Sequence, residues 1–177
     1  MAYTTDRTWV AGEVVTAAYL NTYLRDNMKW LSTDKPMVRA YRSTTQTITT
    51  GTYTGIQMTS ESFDNADIHS TTTNTDRFTV PSGAGGKWLV GSSVEWTWSS
   101  IGVFRIAAVS VDGGFQFQNS SPTTASSSTT PVSTFGLVSA ASAAVIRPTC
   151  YQDSGGDLTT AGIVATQTGG WAVWIGV

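Results

Sequence analysis

The feature that most constrains this fold is an alternation of apolar and polar residues with period two. It is clearest between Lys87 and Trp98, where one face of an extended strand would carry Trp88, Val90, Val94, Trp96 and Trp98. Side chains of a β-strand point alternately to its two sides, so this pattern is typical of a strand with one buried face. We interpret Trp88 and Trp96 as core residues; the alternative is that exposed tryptophans stack on sugars.

The same pattern continues from Met37 to the C-terminus and is divided by turn residues. It predicts strands at 38–42, within 46–58 with breaks at Gly51 and Gly55, and at 77–80, 87–98, 103–111, 115–117, 134–146, 149–152 and 171–177. Asp112-Gly113-Gly114 is typical of a tight hairpin turn. The stretch 60–76 and the Ser/Thr/Pro-rich stretch 119–131 are predicted as surface loops. About eight to ten short strands separated by turns predict an all-β, antiparallel sandwich or jelly roll.

The last predicted strand is apolar on both faces. Trp171, Val173, Ile175 and Val177 lie on one face, and Ala172 and Trp174 lie on the other. A strand of this kind is buried on both sides, which in a two-layer sandwich requires either a central position with a covered outer face or a subunit interface. We expect burial in an oligomer.

Residues 13–31 form the one stretch with a convincing helical pattern. Its apolar residues follow a heptad-like seam made of Ala17, Leu20, Leu24 and Leu31. Asn27 is predicted to occupy a polar position in this seam. A helix of slightly more than two heptads is too short to be stable alone in water. It either packs on its own domain or anchors the chain, by associating across subunits or inserting into a partner. We favour an anchor segment, 1–36, followed by a head domain, 37–177.

The composition of the chain argues against binding to nucleic acid and insertion into a membrane. Charged residues make up only 12% of the sequence, while 30 Thr and 20 Ser supply hydroxyl and β-branched side chains that favour strands. A weakly charged surface is buried between subunits at little desolvation penalty. Ten Lys and Arg without a basic run argue against nucleic acid, and no apolar run approaches the roughly 20 residues that span a bilayer. We therefore expect neither nucleic-acid binding nor membrane insertion.

Patterns that carry catalysis are weak. His69 is the single histidine, and Ser154 lies in Asp-Ser-Gly-Gly, not in the Gly-x-Ser-x-Gly motif of a nucleophile elbow. Lys87 follows glycines, but Trp88 replaces the Ser or Thr of a phosphate-binding loop. The single cysteine, Cys150, is expected to be a buried small hydrophobe. We expect no enzyme and no cofactor, with His69 a solvated or hydrogen-bonded loop residue.

The acidic residues leave two minor alternatives open. Two carboxylates can cleave glycans, but Glu13, Glu61 and Glu95 are the only glutamates, and Glu95 is predicted to face outward. Calcium is held by oxygen ligands, yet no aspartates here have the spacing of a calcium loop. We expect turn chemistry for these aspartates, which are Asp64, Asp67, Asp112, Asp153 and Asp157.

Five short motifs follow one another in order along the chain. They are Arg77-Phe-Thr-Val-Pro-Ser-Gly, Gly86-Lys-Trp-Leu-Val-Gly, the Val-Asp-Gly-Gly hairpin at 111–114, Tyr151-Gln-Asp-Ser-Gly-Gly and Trp171-Ala-Val-Trp-Ile-Gly. In this order, residues 37–177 resemble the jelly-roll family of complement globular heads and tumour-necrosis-factor-like trimers, in the version found on bacteriophage virions. The N-terminal stretch 8–27 is similar to the start of many phage structural proteins.

This resemblance implies a homotrimer whose axis is lined by apolar and aromatic strand residues. In this chain, the residues assigned to the trimer axis or core are Trp171, Val173, Trp174 and Ile175. It also implies a place in the virion, after assembly in the bacterial host cytoplasm, with major capsid or tail proteins as partners. We expect a capsid decoration or head-fibre protein that attaches by its N-terminal segment.

Two alternative functions remain open. One is a tail-tip or tail-fibre adhesin that binds the host receptor, with loops 60–76 and 119–131 as the recognising surfaces and a host-surface glycan as a ligand. The other, from a different class, is a carbohydrate-binding module.

Overall fold

The computed structural model describes residues 4–5, 7–123, 129–161 and 168–176, with only the backbone of Ser32. The chain divides into two compact units, Met1–Lys35 and Pro36–Val177. Val177 and the middle of the predicted loop 119–131 lie outside the described residues.

The first unit contains one helical segment with wide turns. Its α-helical turns at Ala17–Leu20 and Asp26–Lys29 alternate with π turns at Asn21–Arg25 and Trp30–Asp34. The predicted start at residue 13 is wrong, because the Thr16 hydroxyl caps the helix by accepting a hydrogen bond from the Tyr19 amide at 3.3 Å. The predicted end at residue 31 is also wrong, since the helix continues to Asp34 and stops before Pro36.

The described part of the second unit contains twelve strands. They are β1 (Met37–Tyr41), β2 (Thr47–Ile48), β3 (Thr54–Gly55), β4 (Ser60–Asp64), β5 (Phe78–Thr79), β6 (Gly86–Trp96), β7 (Phe104–Val111), β8 (Gly114–Pro122), β9 (Thr130–Ala140), β10 (Val145–Gln152), β11 (Leu158–Thr159) and β12 (Gly169–Gly176).

Two antiparallel sheets pack face to face in this unit. The first has the strand order β4-β1-β12-β6-β9, and the second has the order β3-β10-β7-β8, with β5 also paired to β10. Strands β2 and β11 form a small separate pair. The central strand β12 lies between β1 and β6, so the end of the described chain returns to the middle of the sheet that begins with β1. The predicted fold class, an antiparallel all-β jelly roll preceded by a short helix, is confirmed.

The core lies between the two sheets and follows the period-two pattern. Alternate residues of β6 are fully buried at Trp88, Val90, Val94 and Trp96, as the sequence predicts. The second sheet contributes the buried side chains of Phe78, Ile146 and Cys150.

Several predicted element boundaries are wrong. Strand β6 ends at Trp96, where the chain turns toward β11 through a hydrogen bond from the Thr97 amide to the Thr159 carbonyl, and Trp98 is left half exposed. Predicted strand 134–146 is two strands, because a turn at 141–144 includes Ala143 with a positive φ of 66°. Predicted loops 60–76 and 119–131 are partly strands, since β4, β8 and β9 run into them.

Candidate functional site

The outer face of the first sheet, which points away from the core, carries two adjoining rows of large side chains. The first row crosses all five strands from β4 to β9. In that order its residues are Phe63, Arg39, Trp171, Gly91 and Phe135, each paired with the next. The second row runs through Met37, Val173, Leu89 and Leu137. We call these nine residues the sheet face. Arg39 is its single charged member, and Phe135 and Leu137 are 72% and 66% exposed.

Gly91 sets the position of the Trp171 ring on the sheet face. A Cβ at Gly91 would lie 2.3 Å from the Trp171 indole, so the ring occupies the space that any other side chain would fill. Beside the ring is a groove of about 460 Å³, which Arg39, Phe63 and Ser93 help to line. The sheet face is therefore a shaped surface with an aromatic ring across its centre.

The structure divides the residues that were predicted for the trimer axis or core. Trp171, Val173 and Ile175 point away from the core, and Ile175 is 46% exposed. Trp174 points inward and is buried, with its Nε1 donating to the Gly85 carbonyl at 3.4 Å. Trp88 and Trp96 are fully buried, and Trp88 Nε1 donates to the Ala84 carbonyl at 3.0 Å.

The sequence reasoning identified Trp171 and Val173 but missed the other seven members of the sheet face, four of which are large apolar side chains on strands other than β1 and β12. These four are Phe63, Leu89, Phe135 and Leu137. Phe135 and Leu137 alternate within a predicted strand, which is a signal for a shared face, but the sequence does not reveal that this face points away from the core.

In the N-terminal unit, the stretch before the helix folds back onto one helix face. Asn27 is buried there, where its Oδ1 accepts from the Thr4 amide and its Nδ2 donates to the Thr4 carbonyl, both at 3.0 Å. The Arg7 guanidinium lies over the Tyr19 ring, 4.0 Å from its centroid, and pairs with Glu13. Asn27, which was predicted to occupy a polar position in the heptad-like seam, is thus bonded within its own unit and joins the stretch before the helix to the helix.

The predicted anchor residues lie elsewhere on the same helix. Ala17, Leu20, Leu24 and Leu31 are all exposed, and so is Met28. We call these five residues the leucine stripe. An exposed apolar stripe on a helix that is already held by other contacts is typical of a surface that binds a partner.

The groups considered for catalysis are occupied by structural contacts. His69 has a fully buried side chain, its Nδ1 lies 2.7 Å from Glu61 Oε1, and its Nε2 lies 3.2 Å from the Thr75 carbonyl oxygen. Ser154 Oγ donates to the Gly156 carbonyl at 2.9 Å. Burial raises the pKa of the Cys150 thiol to about 12, which keeps it protonated and unreactive.

The two glutamates of this unit are poorly placed for glycan cleavage. Glu61 is on β4 and Glu95 is on β6, three strand spacings away, or about 14 Å. Carboxylate pairs in glycosidases are roughly 5 to 9.5 Å apart. The expectation that Glu95 points into solvent is also wrong, because it is buried and accepts a hydrogen bond from the Thr129 hydroxyl at 2.7 Å.

Three of the aspartates considered for calcium bind backbone amides of turns. Asp64 accepts from the His69 and Ala66 amides, Asp112 accepts from the Val145 amide, and Asp153 accepts from the Val103 and Phe104 amides. Among the residues that the structure describes, no three acidic, histidine or cysteine side chains cluster as metal ligands would. The described helices also include none that is long and apolar enough to cross a membrane.

Comparison with known proteins finds similarity in structure alone. No protein-family model matches the chain, and no curated protein matches it. Murine APRIL at pH 5.0 superposes with a TM-score of 0.58 at 10% identity, covering 80% of this chain and 99% of that one. The same protein at pH 8.0 gives 0.56 at 10% identity, covering 79% and 98%. Eiger TNF from S. frugiperda gives 0.57 at 10% identity, covering 80% and 91%.

These similarities define the class of the fold. The chain contains a jelly-roll domain of the tumour-necrosis-factor type, built on the two sheets described. At 10% identity the likeness extends to the fold and not to what those proteins bind.

Proposed function

We propose that this protein is a non-enzymatic structural protein of a bacteriophage virion. In this proposal three copies associate through the sheet face, and the N-terminal helix attaches the trimer to a capsid or tail protein through the leucine stripe. The observation that carries the proposal is the presence of two separate exposed apolar surfaces on a chain with very little charge.

The sheet face supports association with further copies of the same chain. Eight of its nine members are uncharged, and the face runs continuously from β4 to β9 across all five strands. Contiguous exposed apolar surface of this kind marks interaction sites in proteins that are otherwise well packed. A jelly roll of the tumour-necrosis-factor type resembles proteins that form trimers, which favours three copies over two.

The leucine stripe supports attachment through the N-terminal unit. Its members are apolar and exposed, whereas Asn27 and Tyr19 of the same helix are held by contacts with Thr4 and Arg7. The stripe is therefore available for a partner without unfolding the unit. A virion protein with a complementary apolar groove is the partner that the resemblance of residues 8–27 to phage proteins favours.

A non-enzymatic role is supported by the contacts of the nucleophiles and bases. The ring nitrogens of His69 face Glu61 and Thr75, the Cys150 thiol is buried, and the glutamates of the head are widely separated. These groups serve the fold instead.

Capsid decoration is the location we favour, because attachment by one short unit and a compact head is all that it requires. The tail-tip alternative also needs a surface that recognises the host. The second sheet offers a candidate in three clustered aromatic residues, Tyr53, Phe115 and Tyr151, which we call the aromatic patch.

Imaging of purified particles tests this proposal. Particles of the phage that encodes the chain, labelled with antibody against residues 36–177, should carry label on the capsid, and cryo-electron microscopy should show three-fold projections there. Label confined to the tail tip would favour the tail-tip adhesin over the capsid decoration protein. Absence of the chain from purified particles would exclude a virion role.

A further inference from the structure

The aromatic patch lies on the face of the second sheet that points away from the core. The Tyr53 ring is centred 4.4 Å from the Phe115 ring and 4.9 Å from the Tyr151 ring. These residues come from three separate places, just before β3, on β8 and on β10. The strand register places Ala108 on the same face of β7, between β10 and β8, where this small side chain is fully buried.

The patch combines ring surface with directed polar groups. Phe115 is 53% exposed, and the Tyr53 hydroxyl lies 2.6 Å from Gln118 Oε1 at the edge of the rings. Within the described residues, neither the Tyr151 hydroxyl nor Gln118 Nε2 makes a hydrogen bond. Amide and hydroxyl groups beside exposed rings can bind a ligand that has both apolar and hydroxylated sides.

The patch contains no charged side chain. On the same face of β10, Arg147 pairs with Asp76 at 2.9 Å, and the Asp76 carboxylate also pairs with Arg77 at 2.8 Å, so this neighbouring cluster lies outside the patch and has its own internal ion pairs. An anionic or cationic ligand would find no opposite charge here, whereas an uncharged ligand loses nothing by the lack of one.

We propose that the aromatic patch of Tyr53, Phe115 and Tyr151, with Gln118 at its edge, is a binding site for a neutral carbohydrate. The C–H face of a pyranose ring packs on the aromatic rings, while its hydroxyl groups bind the Tyr151 hydroxyl and the Gln118 amide. Such a ligand matches each property of the patch: ring surface, adjacent uncharged polar groups and lack of charge.

The site does not depend on the proposed trimer. The patch is on the second sheet, and the sheet face is on the first, so association through one leaves the other free. In a trimer three patches act together, and a weak single-site affinity for a repeated surface sugar is raised by multivalency.

The experiment applies the full-length protein to an array of neutral oligosaccharides of glucose, galactose, mannose and N-acetylglucosamine, with acidic glycans alongside. The best neutral oligosaccharide is then titrated calorimetrically into each variant. We expect Phe115→Ala and Tyr151→Ala to weaken binding about tenfold, the effect of losing one aromatic contact of roughly 1.4 kcal/mol. The matched control is Phe104→Ala, which removes a ring of similar exposure outside the patch.

Tyr53→Phe provides a second test that leaves the ring cluster in place. It removes the hydroxyl beside Gln118 and should weaken binding less than the alanine variants do. Circular dichroism of each variant confirms that the sheets are intact. Failure of all neutral oligosaccharides to bind at millimolar concentration would overturn the proposal, as would undiminished binding in both alanine variants. Light scattering on the same samples reports the trimer separately, so the two proposals fail independently.

Discussion

Gly91 is the residue at which a single methyl group should disturb the sheet face. A Cβ there would enter the Trp171 indole at 2.3 Å, so in Gly91→Ala the ring must leave its place. We expect the head to stay folded at an overpacking penalty of about 1–3 kcal/mol, with weaker self-association. Sedimentation velocity measures the association.

The control for this variant is Gly156→Ala, because a Cβ at Gly156 has no neighbour within 4 Å. If Gly91→Ala associates as well as the unmodified protein, the Trp171 ring is not part of an interface.

The Cys150 thiol should not react with thiol reagents in the folded protein. It is fully buried between the sheets, and burial raises its pKa to about 12. At pH 8 the thiolate is therefore scarce and shielded, and reaction with a disulfide reagent should require unfolding. The measurement is the rate of thiol labelling with and without urea. Rapid labelling without denaturant would show that β10 opens in the native state.

Asp76 should make the free energy of unfolding depend on pH in the acidic range. Burial alone would raise the pKa of this carboxyl, but the hydrogen bond from Arg77 and the charge of Arg147 together hold the pKa below its usual value. A folded-state pKa that is depressed stabilises the native state above the unfolded pKa of about 3.9, and this contribution is lost as pH falls through the folded pKa. Asp76→Asn should therefore lower the free energy of unfolding more at pH 7 than near pH 2.

Urea unfolding of both proteins at the two pH values measures this difference. Asp157→Asn is the control, since Asp157 is exposed and has no ion pair in the described structure. An equal loss of stability at both pH values would mean that Asp76 acts through packing and not through charge.

Among the elements, the N-terminal helix carries the leucine stripe, for which we propose attachment to a partner. Leu20→Asp combined with Leu24→Asp puts two charges on the leucine stripe and touches neither Asn27 nor Arg7. We expect this double variant to fold and to be lost from virions, because an apolar partner surface cannot accommodate unpaired charges. Mass spectrometry of purified particles measures its incorporation.

The matched control adds the same two charges without removing an apolar contact. Asn21→Asp with Thr22→Asp changes exposed polar positions of the same helix and should be incorporated normally. Normal incorporation of the leucine variant would assign attachment to another part of the chain.

Elements dominated by burial were the ones that the sequence predicted well. Strand β6 has alternating tryptophans and valines because each second position lies in the core, and its face assignment is correct from residue 88 to residue 96. Trp98 departs from this alternation because the strand ends before it. The Thr97 amide bonds to Thr159, a residue 62 positions away, and no local pattern encodes that contact.

The burial of polar side chains is also hard to predict from the sequence, because their partners are distant in the chain. Arg105 is almost fully buried, and its guanidinium donates to the Ile101 carbonyl at 2.8 Å and contacts Asp153 at 3.5 Å. These bonds hold the connection between β6 and β7, where Gly102 has a φ of 91° and Asp153 fills the space beside it. An arginine within an apolar run reads as exposed in sequence, because its partner is 48 residues away.

At the scale of the whole molecule, low charge and two exposed apolar surfaces favour assembly. Only part of the sheet face could be predicted from the sequence. The two-sided apolar pattern of β12 indicated an outward face at Trp171 and Val173. Placing Phe63 and Leu89 on the same face requires knowing the strand order. Trp174 is covered by its own chain, so only the outward residues of β12 are available for contact with other copies.

The mass of the full-length protein in solution, measured by size-exclusion chromatography with light scattering, tests association through the sheet face most directly. We predict a mass three times that of the chain, which Phe135→Glu with Leu137→Glu reduces to one chain, and which Phe115→Glu on the other sheet leaves unchanged. A single-chain mass for the unmodified protein would contradict the account, and so would a trimer that survives both charges on the sheet face.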